Sequence, residues 1–166
     1  MSLRERLTRG SDDLDTPEEA VDALVTFLPQ HPQKHYWDIC EVAPGREVLA
    51  QHLGKRGYGV SIPVTYGWDF LKTPWDYSEY SAIITNPPFS KKAKFIARCT
   101  EIGLPWALLL PVTTLGVRAC QKHLHDAEII FLPKRIDFTG KKAPWFAVAW
   151  FTWGLNIGKQ LTFWEG

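Results

Sequence analysis

The sequence predicts an α/β fold, a mostly parallel sheet wound on both faces by helices, with antiparallel strands added at its C-terminal end. Three observations carry this reading. Continuous apolar or β-branched runs, such as 82–85 and 106–111, lack the in–out alternation of a half-solvated strand and so belong in a sheet covered on both sides. Stretches of helical spacing separate them, as parallel crossovers require. Beyond residue 126 the chain passes from strand to turn to strand with no helix between, the mark of antiparallel neighbours.

Residues 1 to 15 are polar and charged and read as a flexible arm. Thr16-Pro17-Glu18-Glu19 places a capping threonine before a proline at the first helical position, with a glutamate three residues after the cap. Ala20, Val21, Leu24, Val25 and Leu28 follow at helical spacing, and Pro29 stops the helix. Tyr36 to Glu41 is a strand. From Gly45 the pattern Val48, Leu49, His52, Leu53 gives a helix ending at 54–57, and Tyr58 to Ile62 resumes strand character. Residues 63–74 are turn-rich, with a very short strand expected near Trp68-Asp69-Phe70. Ser81 to Thr85 is a strand, and Ser90 is expected to cap a helix from Lys91 to about Ile102. Trp106 to Pro111 is a strand, Thr114 to Leu124 a helix, and Ala127–Leu132, Phe146–Trp153 and Leu161–Trp164 are strands, with a long turn around Gly140.

At 166 residues, with 45% hydrophobic and 22% charged residues and a net charge of +1, the chain has an ordinary globular composition. A domain of this length buries about 70% of its unfolded surface and needs no staples. Residues 16 to 166 therefore read as one domain, without a separate target-recognition domain or internal repeat. The composition excludes a protein basic over its whole surface, although a local basic patch could still hold nucleic acid. Cys40, Cys99 and Cys120 have neither CxxC nor metal-ligand spacing and read as buried reduced thiols, and the five histidines make no zinc pattern. No apolar leader or membrane-spanning run is present, and a cytoplasmic location is expected.

The segment richest in chemistry is Asn86-Pro87-Pro88-Phe89, directly after the run Ala82-Ile83-Ile84-Thr85. Two prolines cannot donate backbone hydrogen bonds, so they end the strand and hold Asn86 and Phe89 in a fixed relation at its carboxyl end. An exocyclic amine conjugated to an aromatic ring is a poor nucleophile because its lone pair is delocalised. The Asn86 amide oxygen and the Pro87 backbone oxygen could accept its two hydrogens and favour a tetrahedral nitrogen, with Phe89 stacked on the ring. Alone, the same four residues would serve as a strand stop with a core phenylalanine. Ligands of a doubly wound sheet bind at the carboxyl ends of its strands. Cys40-Glu41-Val42-Ala43-Pro44-Gly45-Arg46-Glu47 lies at such a strand end. There Gly45 permits close backbone approach and Glu41 can accept hydrogen bonds.

Together these stretches resemble the S-adenosylmethionine-dependent amino-methyltransferases, specifically small phage-type DNA adenine-N6 methyltransferases with an Asn-Pro-Pro-Phe motif, from about Thr16 to Trp153. The resemblance implies a Rossmann-like class I methyltransferase fold with S-adenosylmethionine as cofactor. Its methionine part would lie on Thr16-Pro17 and on Glu41, Val42, Ala43 and Gly45. Its adenine would meet Asp69 and Phe70, before Leu71, and Asn86 would border both cofactor and target. Catalysis would fall to Asn86, Pro87, Pro88 and Phe89. Leu108-Leu109-Leu110-Pro111 and Arg135-Ile136-Asp137-Phe138 also resemble family positions. RNA guanine and protein glutamine methyltransferases use closely similar turns, so the tetrad marks amino methylation rather than one substrate.

Two departures from the family pattern stand out. Glu47 occupies the place of a second glycine, where it is expected to put negative charge near the cofactor's own carboxylate. No acidic residue ends the second strand in Ser61-Ile62-Pro63-Val64-Thr65, where the family binds the ribose hydroxyls. For the target, Lys91, Lys92, Lys94 and Arg98 follow the tetrad, and Lys134, Arg135, Lys141 and Lys142 cluster beside Trp145 and Phe146, a candidate phosphate path with aromatics. DNA would be bound single-stranded or with a flipped base, with a protein partner supplying recognition where needed. Methyl transfer to RNA or protein, or a silent nucleic-acid-binding module, remain the alternative readings.

Overall fold

Successive residues of the central strands point to opposite faces of one sheet, and each face has its own core. Ile39, Ala82, Ile84, Ala107 and Leu109 join one apolar cluster, while Cys40, Ile83, Trp106, Leu108 and Leu110 join the other. The two-residue period of a strand buried on both sides produces this partition. In the computed structural model, residues 14–30, 33–63, 68–136, 138 and 146–163 are described.

Seven strands make the sheet: β1 (Asp38–Cys40), β2 (Gly59–Ser61), β3 (Ala82–Thr85), β4 (Trp106–Pro111), β5 (Glu128–Phe131), β6 (Val148–Trp153) and β7 (Leu161–Phe163). Their order is β2-β1-β3-β4-β6-β5-β7. Pairs among β1 to β4 are parallel, β6 runs antiparallel to both β4 and β5, and β7 lies parallel to β5. The chain leaves β1 toward β2 and returns to the other side of β1 as β3. The winding therefore reverses between β1 and β3, which opens a crevice at their carboxyl ends.

Helices α1 (Glu18–Val25) and α2 (Val48–Lys55) cover the first face through Val21, Leu24, Leu49 and Leu53. Helices α3 (Lys92–Ile102) and α4 (Arg118–Gln121) cover the second through Phe95, Ile96, Cys99 and Cys120. On the first face the Trp150 indole Nε1 donates to the Ala20 carbonyl at 2.7 Å, joining β6 to α1 across 130 residues. Arg56 ties the two helices of that face together, reaching Asp22 through Nε at 2.7 Å and Glu18 through Nη2 at 3.2 Å.

Local expectations fail where the tertiary structure has another use for a residue. Thr16 does not cap α1: Pro17 holds the N-cap position, no side chain caps the helix, and the Thr16 hydroxyl is buried elsewhere. Residues 68–70 form no strand, because the Asp69 carbonyl receives the N–H groups of Lys72 and Thr73 in a turn. The Asn-Pro-Pro-Phe strand is accordingly the third of the sheet rather than the fourth. Phe89–Lys91 is a 3₁₀ turn, so α3 begins at Lys92 with Lys91, not Ser90, at its N-cap. Residues 112–121 break into a 3₁₀ segment and the single turn of α4, where one continuous helix was expected. The turn around Gly140 lies outside the described residues.

The three cysteines are free and buried. Burial, reinforced by Glu41 and Asp38, pushes the Cys40 thiol up to about 12, and burial raises Cys99 and Cys120 as well. None is a nucleophile at neutral pH. Among the described residues no helix is long and apolar enough to cross a membrane, and no acidic, histidine and cysteine side chains gather as a metal site.

Candidate functional site

Two adjoining cavities open at the carboxyl ends of β1 and β3, sharing Ala43, Pro44 and Pro88 as a common wall. The first, about 230 Å³, is bordered by Thr16, Glu41, Gly45, Arg46 and Asn86 together with Leu14 and Asp15. The second, about 480 Å³, is bordered by Val42, Glu47, Ile62, Trp68, Asp69 and Phe70 among others. Taken together they fall in the size range of small-molecule sites, ~300 to 1,000 Å³.

Glu41 forms the floor of the first cavity. It follows the last residue of β1 and is 1% exposed. Its Oε1 accepts the Ala43 N–H at 3.1 Å and the Thr85 hydroxyl of β3, so the carboxylate is held between the two strands that define the crevice. Its Oε2 is buried without a partner among the described residues, as is the Thr16 hydroxyl. Burial pushes the Glu41 carboxyl up to about 7, against the opposing effect of its hydrogen bonds. A buried acceptor of this kind is poised for a cation, which would restore the charged form.

The N-terminal residues close the other side. The Asn86 amide Nδ2 donates to the Leu14 carbonyl at 2.8 Å, and Asp15 pairs with Arg46, whose Nε donates to its Oδ1 at 3.1 Å. Leu14 and Asp15, the end of the expected flexible arm, thus have defined partners; the rest of that arm lies outside the described residues. The Arg46–Asp15 pair was not foreseen. Its only sequence signal is a charged residue directly after the loop glycine.

The loop itself is shaped by backbone geometry. Gly45 has φ 49°, and Glu47 adopts the same left-handed region with φ 63°. The Glu47 N–H returns to the Pro44 carbonyl at 2.5 Å, which tightens the turn into α2. Such a φ is strained for a residue with a Cβ, at a cost of about 1 to 2 kcal/mol. Glu47 borders the second cavity, as do Ile62 and Pro63 just beyond β2. Glu47 thus borders the second cavity and not the first, which Glu41, Gly45 and Arg46 border.

The second cavity is largely apolar. Phe70 packs on Phe95 with ring centres 5.1 Å apart, and Trp68 lies against Phe70 at 6.3 Å. The Trp68 indole N–H is buried without a partner among the described residues. Asp69 is already engaged: its Oδ1 accepts the Leu71 N–H at 2.9 Å, and Oδ2 lies 3.6 Å from Lys72.

At the turn after β3, Pro87 is buried and Pro88 forms part of both cavity walls. The Phe89 ring meets Phe146 at 5.9 Å and Phe138 at 6.4 Å, both nearly perpendicular, which brings the segment beyond β5 to the tetrad. That long-range cluster has no local sequence signal. Pro17 caps α1 and borders neither cavity. Lys91 borders the second cavity, and Lys92 donates to the Phe89 carbonyl at 3.2 Å. Arg98 pairs with Glu101 at 2.9 Å on α3. Lys134 pairs with Glu19 at 3.2 Å, and Arg135 is exposed. Lys141, Lys142 and Trp145 lie outside the described residues, as do Val64 and Thr65.

No family model and no curated protein matches the chain by sequence. Solved structures do. The methyltransferase subunit of a type I restriction-modification system from Streptococcus thermophilus superposes with a TM-score of 0.63 at 15% identity, covering 96% of this chain and 48% of that one. A Listeria monocytogenes protein assigned to the class I S-adenosylmethionine-dependent methyltransferases gives 0.63 at 13% identity, covering 89% and 63%. The type IIG restriction endonuclease BpuSI gives 0.59 at 13%, covering 87% and 26%. The chain therefore spans between about a quarter and two thirds of the length of these proteins. At such identities the likeness defines the fold, which is the Rossmann-like fold of class I methyltransferases.

Proposed function

We propose that the chain is an S-adenosylmethionine-dependent methyltransferase that methylates the exocyclic N6 amine of adenine in DNA. One observation carries this reading: the Asn86 turn borders a cavity whose floor is an incompletely satisfied carboxylate, and that cavity shares a wall with a second, apolar one. The unpartnered atoms fit the cofactor. Glu41 Oε2 and Thr16 Oγ1 can accept hydrogen bonds from an α-ammonium group, and Arg46 can pair with an α-carboxylate by exchanging Asp15 for it. The unpartnered Trp68 N–H and the Phe70 wall suit an adenine ring, and Gly45 leaves room beside the loop.

When bound, the cofactor supplies an electrophilic methyl group. The residues of the turn act on the other reactant. Because Asn86 Nδ2 donates to Leu14, its Oδ1 is the end of the amide left to accept a hydrogen from a target amine. The Pro87 carbonyl would accept the second hydrogen, which localises the lone pair on nitrogen and leaves the proton to depart after transfer. Phe89, Phe138 and Phe146 make an aromatic margin for the target ring. The tetrad alone does not choose among substrates; DNA is favoured by the wider resemblance from Thr16 to Trp153 and by Lys134 and Arg135 near that margin in sequence. The two restriction proteins of like fold agree with it.

The experiment presents DNA, RNA and protein with methyl-labelled S-adenosylmethionine and locates the label after digestion. Label on adenine N6 in DNA alone supports the proposal. Label only in RNA or on a protein amide replaces the substrate, and no transfer together with no calorimetric binding of the cofactor overturns the enzyme reading.

A further inference from the structure

Glu47 raises a separate question, because it holds a strained conformation at a position where glycine would be relaxed. Its side chain is exposed and makes no hydrogen bond or ion pair among the described residues. It stands at the second cavity with Ile62 and Pro63 close by. In nucleotide-binding sheets of this winding, the end of the second strand is where a carboxylate takes hydroxyls of the ligand's ribose. Here the residues directly after β2 that border the cavity are an isoleucine and a proline, neither of which has a side-chain acceptor. Among the described residues two carboxylates border the cavity, Glu47 and Asp69. Asp69 is occupied by the Leu71 N–H and by Lys72, so Glu47 alone can offer both oxygens.

We infer that Glu47 accepts the two ribose hydroxyls of an adenosine-bearing ligand seated in the second cavity, replacing from the loop after β1 the carboxylate missing at the end of β2. The inference rests on the cofactor reading above. A vicinal diol presents two donors side by side, and a carboxylate is the side chain that receives both in one plane. The left-handed turn gives the strain a purpose. With φ 63° the residue holds the N-cap of α2 and borders the second cavity together with Ile62 and Pro63; glycine would adopt the turn more easily but would bring no acceptor.

The test is calorimetric titration of the full chain, Glu47→Gln and Glu47→Gly with S-adenosylhomocysteine and with its 2′-deoxy analogue. The unaltered chain should bind S-adenosylhomocysteine roughly 10-fold or more tightly than the deoxy compound, as for a hydrogen bond to a charged acceptor. Both variants should lose about that factor for S-adenosylhomocysteine and should no longer distinguish the two ligands. If Glu47→Gly binds as well as or better than the unaltered chain, the side chain is an obstruction and the inference fails. It fails equally if Glu47→Gln keeps full discrimination, because the ribose is then held elsewhere. In both cases the cofactor reading survives; absence of any binding by the unaltered chain would remove both.

Discussion

The two cavities share a wall but differ in how their polar groups are placed. In the first, charge is paired or buried: Arg46 has Asp15, Asn86 has the Leu14 carbonyl, and Glu41 is out of water between β1 and β3. In the second, the walls are aromatic and aliphatic, and the one carboxylate without a partner among the described residues is exposed at the rim. A ligand must therefore replace existing interactions in one half of the site and make new ones in the other. Affinity should respond strongly to pH and to the N-terminal segment in the first cavity, and to ligand hydroxyls in the second.

The largest effect is expected at the wall between the two cavities. Asn86→Ala should lower turnover by roughly 10²- to 10³-fold, the cost of removing one group that stabilises the transition state. Binding of S-adenosylhomocysteine should change only a few-fold, since the role proposed for the amide is on the target amine. Equal loss of turnover and binding would assign Asn86 to the cofactor instead.

Next in size is Glu41. Its folded carboxyl titrates near 7 against an ordinary value of 4.5, so the folded state binds the extra proton between those pH values. Stability from this group is therefore greatest at low pH and falls as pH rises through that window, by on the order of 3 kcal/mol at ~1.4 kcal/mol per unit. Glu41→Gln should remove this slope in denaturant titrations at pH 5 and pH 8. Ligand binding carries the opposite sign, because a ligand ammonium needs the carboxylate ionised. Affinity for S-adenosylhomocysteine should rise from pH 6 to 7.5 in the unaltered chain. In Glu41→Gln it should be roughly 10- to 100-fold weaker and flat with pH.

Asp15→Asn gives a smaller effect of opposite direction. The Arg46–Asp15 pair is partly exposed and worth ~1 kcal/mol at most, so freeing Arg46 should strengthen binding of a carboxylate-bearing ligand by no more than about five-fold. Weaker binding by Asp15→Asn would mean that Asp15 itself contacts the ligand. Smallest is Arg135→Ala, which should leave cofactor binding unchanged and reduce the salt slope of single-stranded DNA binding by about one.

The sheet was legible because buried parallel strands cannot hide their composition: 82–85 and 106–111 are apolar or β-branched throughout, and their ends are marked by proline. The Asn86 turn was legible for the same reason. Other features depend on partners distant in sequence. Thr16 fits a capping box as written, and only the cavity at the end of β1 shows why its hydroxyl lies elsewhere. Asp15 and Arg46 are 31 residues apart, and the aromatic contacts of Phe89 reach Phe138 and Phe146. Glu47 was readable as a departure from glycine. The direction of its side chain depends on a left-handed turn, which an acidic residue at the start of a helix does not announce.

The hydrogen bond from Trp150 to the Ala20 carbonyl bears on the order in which the site can assemble. The residues that border the first cavity at 14–16 directly precede α1, and α1 is fastened to the sheet by a strand 130 positions later. During synthesis, β1 to β4 can pair through connections of about 20 residues or fewer while the N-terminal wall still lacks this anchor. Closure of a contact so distant in sequence is slow compared with these local connections. Closure of the first cavity is therefore expected to follow the pairing of β1 to β4, because its wall at 14–16 leads into a helix held by β6.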